Sequence, residues 1–263
     1  MANPPGSPIW YELMTPDPDA AKAFYDAVVA GWTVEAAPAG PMDYRMITRS
    51  DGGNAGGVLR ITPDMAGHGA RPAWIAYFHV PDVDAAVAAI TADGGAVHMP
   101  PTTMEGIGRM AMVADPMGAP FYVMAPVPPP GMEGMSSDVF DREKPQHVRW
   151  HELASPDLAR AKTFYAKHLG FEFNRTMPMG AMGDYCFVDH AGMQIGAIMQ
   201  QPAGHPGGSW VLYFGVASVE TAKAAIEAGG GVIHNGPHEV PGGDWIVIAS
   251  DPQGARFGVV GAR

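Results

Sequence analysis

Trp10-Tyr11-Glu12-Leu13, Pro16-Asp17 and Ala21-Lys22-Ala23-Phe24-Tyr25 return 140 residues later. The second copy reads Trp150-His151-Glu152-Leu153, Pro156-Asp157 and Ala161-Lys162-Thr163-Phe164-Tyr165, with no gap through the Tyr pair. Further along, Trp74, Tyr77-Phe78, His98, Asp115-Pro116 and Gly118 match Trp210, Tyr213-Phe214, His234, Asp251-Pro252 and Gly254, all 136 residues apart. So many identities at one register mean a duplication, and a duplication has to be read before any single element.

Each half is doubled again, more faintly. Asp17-Pro18 reads as an N-cap followed by Pro at the first helical position. Behind it Ala21, Phe24, Tyr25 and Val28 fall on one helical face. Asp82 caps a second helix with Val83, Ala86, Val87 and Ile90 on one face, stopped by Gly94-Gly95. Asp157 and Ser218 take the same roles in the second half, and Gly229-Gly230-Gly231 ends the last helix. A strand-like run precedes each cap: Ile9–Met14, Trp74–Val80, Arg149–Leu153 and Trp210–Val216. Short β-rich stretches follow the helices, among them Tyr44–Thr48, Met110–Ala114, Tyr185–Val188 and Trp245–Ala249. The expected fold is α+β, with four βαβββ units, two per half. Val127-Pro128-Pro129-Pro130-Gly131 and the polar residues behind it favour extended backbone and read as a linker. The expected boundaries are 6–126 for the first domain, 127–146 for the linker and 147–263 for the second.

With 47% hydrophobic and 16% charged residues the chain is globular, and its 263 residues can bury a core in each half. A formal charge of −11 without a basic run argues against nucleic-acid binding. The single Cys186 excludes a disulfide framework and a Cys-based zinc ribbon. No signal peptide and no membrane-length apolar run is visible, so a soluble cytoplasmic protein is expected.

A capped helix carrying Phe-Tyr, after a strand and before a hairpin with Asp-Pro-x-Gly, resembles the vicinal-oxygen-chelate (VOC) module of glyoxalases, bleomycin-resistance proteins and extradiol dioxygenases. Here the motifs are Asp17…Phe24-Tyr25, Asp157…Phe164-Tyr165, Asp115-Pro116-Met117-Gly118 and Asp251-Pro252-Gln253-Gly254. Trp-x-Glu-Leu and Gly106-Ile107-Gly108-Arg109 bring the chain closest to two-domain glyoxalase-like or hydroxylase-like proteins. The resemblance covers nearly all of the chain outside the linker. It implies that two βαβββ modules pair into an open barrel whose concave face holds a ligand. It also implies that the duplication supplies within one chain the pairing that single-domain relatives reach by dimerising. A monomer is then expected, with a homodimer as the alternative.

Metal-dependent members place His or Gln seven residues before the capping Asp and Glu seven after the Asp of Asp-Pro-x-Gly. Here those positions hold Trp10, Ile75 and Tyr122 in the first half and Trp150, Val211 and Gly258 in the second. The resemblance therefore implies no cofactor and disfavours the usual divalent metal. Strand alternation places Glu12 beside Trp10, Tyr77 beside Ile75, Glu152 beside Trp150 and Tyr213 beside Val211. An indole, a carboxylate and a phenol suit a small planar or carbonyl-bearing ligand. Burial against an indole would raise the acid's pKa and suit it to proton transfer. Glu12 and Glu152 are thus the catalytic candidates, and Trp10, Tyr77, Arg109, Tyr122, Trp150 and Tyr213 the ligand-binding ones. The plainer alternative is an acid that holds a neighbouring backbone N–H.

Alternation turns His151 away from Glu152 and into the core. His98 and His234 recur near a rim, whereas His68, His205 and His238 fall in loops. Asp43-Tyr44 and Asp184-Tyr185, 141 residues apart, read as turns into strands, with either Tyr a candidate to reach a ligand. The clustered methionines among the 18 in the chain suit either core filling or an adaptable apolar surface. Gly106-Ile107-Gly108 precedes a strand and lacks Lys-Ser/Thr, so it is no phosphate loop. Three readings follow: a small-molecule binder or enzyme working without the metal triad, a metal-dependent glyoxalase-like lyase or dioxygenase with displaced ligands, and a non-catalytic drug-sequestering protein.

Overall fold

The four caps form as the sequence dictates. Asp17 accepts from the Ala20 N–H at 3.0 Å, Asp82 from Ala85 at 3.0 Å, Asp157 from Arg160 at 2.9 Å and Ser218 from Thr221 at 3.2 Å. Each satisfies a donor that the first helical turn leaves open. The protein is described here by a computed structural model covering residues 3–39, 42–128, 131, 134–202 and 208–263. Pro129 and Pro130 of the Pro-rich stretch, and His205, lie outside the described residues.

The first half runs β1 (Pro8–Thr15), α1 (Pro18–Val28), β2 (Thr33–Val34), β3 (Tyr44–Thr48), β4 (Asn54–Arg60), α2 (Pro63–Gly67), β5 (Ala73–His79), α3 (Val83–Ala92), β6 (Ala96–Met104), β7 (Gly108–Ala114) and β8 (Pro120–Pro126). The second runs β9 (Val148–Ser155), α4 (Leu158–Leu169), β10 (Thr176–Pro178), β11 (Asp184–His190), β12 (Met193–Gln200), β13 (Trp210–Ser218), α5 (Val219–Ala228), β14 (Val232–Glu239), β15 (Trp245–Ser250) and β16 (Arg256–Ala262). Two eight-stranded sheets result, in the orders β2-β3-β4-β1-β5-β8-β7-β6 and β10-β11-β12-β9-β13-β16-β15-β14. The second order repeats the first, as a duplication requires. Within each module the first strand runs parallel to the last, and the other pairings are antiparallel. The short helix α2, capped by Thr62, is an addition that the periodicity did not announce. No helix among the described residues is long and apolar enough to cross a membrane.

Contacts gather the chain into two units, and each draws one module from each half. One comprises Met1–Trp10, Ala76–Ser137 and His151–Trp210, the other Tyr11–Ile75, Asp138–Trp150 and Val211–Arg263.

In the first unit Phe121 packs on Phe164 and Tyr165 of α4, and Phe78 on Phe121, Phe171 and Trp210. The Tyr165 hydroxyl donates to Asp115 Oδ2 at 3.1 Å and accepts from Trp210 Nε1 at 3.1 Å. Asp115 Oδ1 takes the Met117 and Ala119 N–H groups, both at 2.9 Å, which closes the Asp-Pro turn. Burial raises the carboxyl pKa, and these donors oppose the rise. His151 lies in the same core, 1% exposed, its Nδ1–H donating to the Ile195 carbonyl at 2.7 Å. Burial depresses this imidazole to about 4.

The second unit repeats the arrangement. Tyr25 packs on Trp74, Phe214 and Phe257. Its hydroxyl donates to Asp251 Oδ2 at 3.1 Å and accepts from Trp74 Nε1 at 2.9 Å. Asp251 Oδ1 takes the Gln253 and Ala255 N–H groups at 3.0 and 2.8 Å. The segment before β9 is anchored here. Val139 is buried, Trp32 Nε1 donates to the Gln146 carbonyl at 2.8 Å, and Gln146 Oε1 accepts from the Ser50 N–H at 2.8 Å.

Tyr165→Phe strands the buried Asp115 and Trp210 partners, and about 1–3 kcal/mol of unfolding free energy should be lost in urea denaturation. A loss below about 0.5 kcal/mol, within the range of neutral surface changes, contradicts the assignment. His151 supplies a pH test. The folded state holds the ring neutral down to about pH 4, whereas the unfolded chain takes up its proton near 6.5. Stability therefore falls as pH drops through that window. Wild type should lose about 3 kcal/mol more than His151→Gln between pH 7 and pH 4. Equal losses would contradict a neutral, buried ring.

Candidate functional site

Tyr11, Leu13, His151 and Leu153 point into the helix-covered core, at 0–1% exposure. Because neighbouring side chains alternate, Trp10 and Glu12 on β1 and Trp150 and Glu152 on β9 turn to the face without helices. Glu12 is buried, and Trp10, Trp150 and Glu152 are half-buried.

A tyrosine of the Asp-Tyr repeat lies near the acid-bearing strand in each copy. The Tyr185 hydroxyl, on β11, donates to Glu152 Oε2 at 2.7 Å. In the first copy Glu12 pairs in register with Gly57 on β4, and Tyr44 lies over that glycine so closely that a Cβ there would overlap the phenol. The residues read in sequence as turns into strands thus also carry phenols to the acid-bearing face. Around the second copy Tyr185 meets Phe187 edge-on at 5.5 Å, and the Arg175 guanidinium stands 5.1 Å over the Phe187 ring.

The other modules differ. Tyr77 and Tyr122 are register partners on β5 and β8 and stack at 4.0 Å with their planes 10° apart. Tyr213 faces Gly258 instead, and its ring lies where a side chain at 258 would stand. It packs with Val211, Ile248 and Val260 in one cluster, against which Trp150 rests. Arg142 covers the Trp150 ring at 5.7 Å. Arg109 does not join the aromatic candidates. It forms a two-pronged ion pair with Asp84 of α3, at 2.6 and 2.7 Å, on the helix-covered side.

The remaining candidates lie elsewhere. His68, His98, His234 and His238 are exposed. Cys186, adjacent to Tyr185, turns to the helix-covered side and is buried. It borders a cleft of about 460 Å³ at the start of α4, lined also by Asp157, Lys162, Thr176 and Gln200, on the face opposite the Glu152–Tyr185 pair. His79 was missed in the sequence although it lies two residues after Tyr77 on the same strand. Strand alternation alone would have found it.

Members of the VOC fold commonly hold a divalent ion, so the donor set has to be compared with that role. Among the described residues no three His, Cys, Asp or Glu side chains are grouped to hold a metal ion. The positions implied by resemblance carry indoles, aliphatics, a phenol engaged in a ring stack and a glycine under a ring. This set does not fit the family's His/Gln and Glu triad.

The family model described as "Glyoxalase/Bleomycin resistance protein/Dioxygenase superfamily" matches residues 8–123 and again 144–259. The Mycobacterium bovis protein named "Putative glyoxylase CFP32" is 31% identical over 258 residues, covering 97% of this chain and 94% of that one. The "Anthracycline biosynthesis protein DauV" of Streptomyces sp. is 31% identical over 271 residues, covering 98% and 94%. Among solved structures, the Mn(II)-bound glyoxalase from Novosphingobium aromaticivorans superposes with a TM-score of 0.62 at 21% identity, covering 98% of this chain and 82% of that chain. The 2,3-dioxygenase LapB from Pseudomonas sp. KL28 gives 0.61 at 17%, covering 97% and 91%. At those identities the two structures share the fold and nothing finer. The chain belongs to the glyoxalase/bleomycin-resistance/dioxygenase (VOC) superfamily, as a tandem of two domains.

Proposed function

We propose that the protein binds a small aromatic or carbonyl compound on the helix-free faces of its sheets, with the repeated acid as its polar anchor and without the family's metal triad. The observation that carries this reading is the 2.7 Å hydrogen bond from Tyr185 to Glu152, on the strand face that also presents Trp150. A carboxylate that already accepts a phenolic proton still has lone pairs for a ligand hydroxyl or for a proton on the carbon beside a carbonyl. The phenol oxygen can in turn accept from a ligand hydroxyl while its own O–H stays on Glu152. Trp10, Tyr77, Tyr122, Trp150 and Tyr213 supply aromatic walls, which suit flat ligands. The relative named for anthracycline biosynthesis supports an aromatic ligand, since anthracyclines are planar aromatic compounds.

The metal-dependent alternative draws on the Mn(II)-bound neighbour, and one experiment separates the two. Acetophenone is titrated calorimetrically into protein treated with EDTA and into protein supplied with Mn²⁺. This reading expects saturable binding with the two affinities within twofold of each other. It also expects Glu152→Gln or Tyr185→Phe to weaken binding roughly tenfold, about 1.4 kcal/mol. Binding that disappears with EDTA and returns with Mn²⁺ would instead establish the metal-dependent reading.

A further inference from the structure

The two copies can be compared position by position on the helix-free face of their second modules. In the first domain two rows run across the strands. Tyr77 on β5 pairs with Tyr122 on β8, Tyr122 with Met112 on β7, and Met112 with Met99 on β6. One step along, His79 pairs with Met124, Met124 with Met110, and Met110 with Thr102. Phe78, between Tyr77 and His79, is 1% exposed against Phe121 and Trp210 in the core, which fixes the phase. His79 therefore shares the face of Tyr77 and Tyr122.

At the same 136-residue offset the second domain carries Ile246, Ile248 and Val260 for Met110, Met112 and Met124. It also carries Gly258 for Tyr122 and Gly215 for His79. There the aliphatic side chains and Tyr213 fill the face against one another. In the first domain flexible thioethers surround an aromatic pair, a combination that adapts to flat apolar ligands. A buried ring nitrogen interrupts that surface. The His79 Nδ1 is buried and has no hydrogen-bond partner among the described residues. Leaving such an atom unmatched is unfavourable, and a ligand group that satisfies it recovers the loss.

We propose that this face of the first domain is a site for a planar aromatic compound bearing a hydroxyl group. The ring lies among Met110, Met112, Met124 and the tyrosine pair, and the hydroxyl meets His79 Nδ1. A hydroxyl fits because it both donates and accepts, so it satisfies either tautomer of the ring. The second domain, with Gly215 and its packed aliphatics, lacks this specificity. The inference rests on the ligand-binding reading above and narrows it to a domain, a ligand class and a recognition residue.

The test uses 2-naphthol and naphthalene as probes of the full-length protein, with ¹³C-methyl labels on methionine followed by NMR. Wild type is expected to bind 2-naphthol at least tenfold more tightly than naphthalene, with shifts at the Met110, Met112 and Met124 methyls. His79→Leu should reduce that preference below threefold, and His79→Asn should keep most of it. The methyl spectrum of each variant also reports whether it remains folded. A preference that survives in His79→Leu overturns the inference. Shifts confined to Met177 and Met199, on the module that carries Glu152, overturn it while leaving ligand binding in place. Shifts at neither group remove both readings.

Discussion

The crossed hydrogen bond between a helix tyrosine of one half and a turn aspartate of the other organises this protein. Tyr165 meets Asp115, and Tyr25 meets Asp251. Each pair brings together the two sequence motifs that define the module, Phe-Tyr and Asp-Pro-x-Gly, but takes one motif from each copy. Burial disfavours a charged carboxyl, and two backbone N–H groups with the phenol compensate for the lost water. The tyrosine in turn satisfies an indole N–H, so three buried polar groups are matched in each unit. Aromatic rings pack against both tyrosines: Phe121, Phe171 and Trp210 on Tyr165, and Trp74, Phe214 and Phe257 on Tyr25.

Strand phase follows from that core. Phe121, Phe214 and Phe257 must lie on the helix side to reach the tyrosines, and Phe78 to reach Phe121 and Trp210. A slip of one residue would move every side chain of the strand to the other face. The helix-free faces are therefore determined by what the core demands of alternate positions. Trp10, Glu12, Tyr77 and His79 owe their orientation to Tyr11, Leu13 and Phe78. Between the copies Trp10, Glu12 and Tyr77 recur on these faces as Trp150, Glu152 and Tyr213, whereas Tyr122 stands against Gly258 and His79 against Gly215.

Much of this was legible in the sequence. Asp17, Asp82, Asp157 and Ser218 announce their helices because a cap and its donor lie three residues apart. The 2-residue period of β1 and β9 separates Glu152 from His151 without any structure. What escaped depends on distance along the chain. Nothing local in Tyr25 indicates Asp251, and only the pairing of strands β9, β11 and β12 brings Tyr185 to Glu152. Arg109 looked like a pocket residue because the two halves differ there, yet Asp84, in the first turn of α3, supplies a carboxylate on the other face. His79 escaped for the converse reason. A search guided by repetition finds what the copies share, and at this position the second copy has only glycine.

The central claim is that each core is completed by both halves of the chain, so neither half can bury its aromatic face alone. Fragments 1–126 and 147–263, prepared separately, test it by near-ultraviolet circular dichroism and thermal unfolding. Each fragment alone should lack ordered aromatic signal and a cooperative transition, and an equimolar mixture should recover both. A fragment 1–126 that unfolds cooperatively by itself, with native-like aromatic signal, would contradict the account.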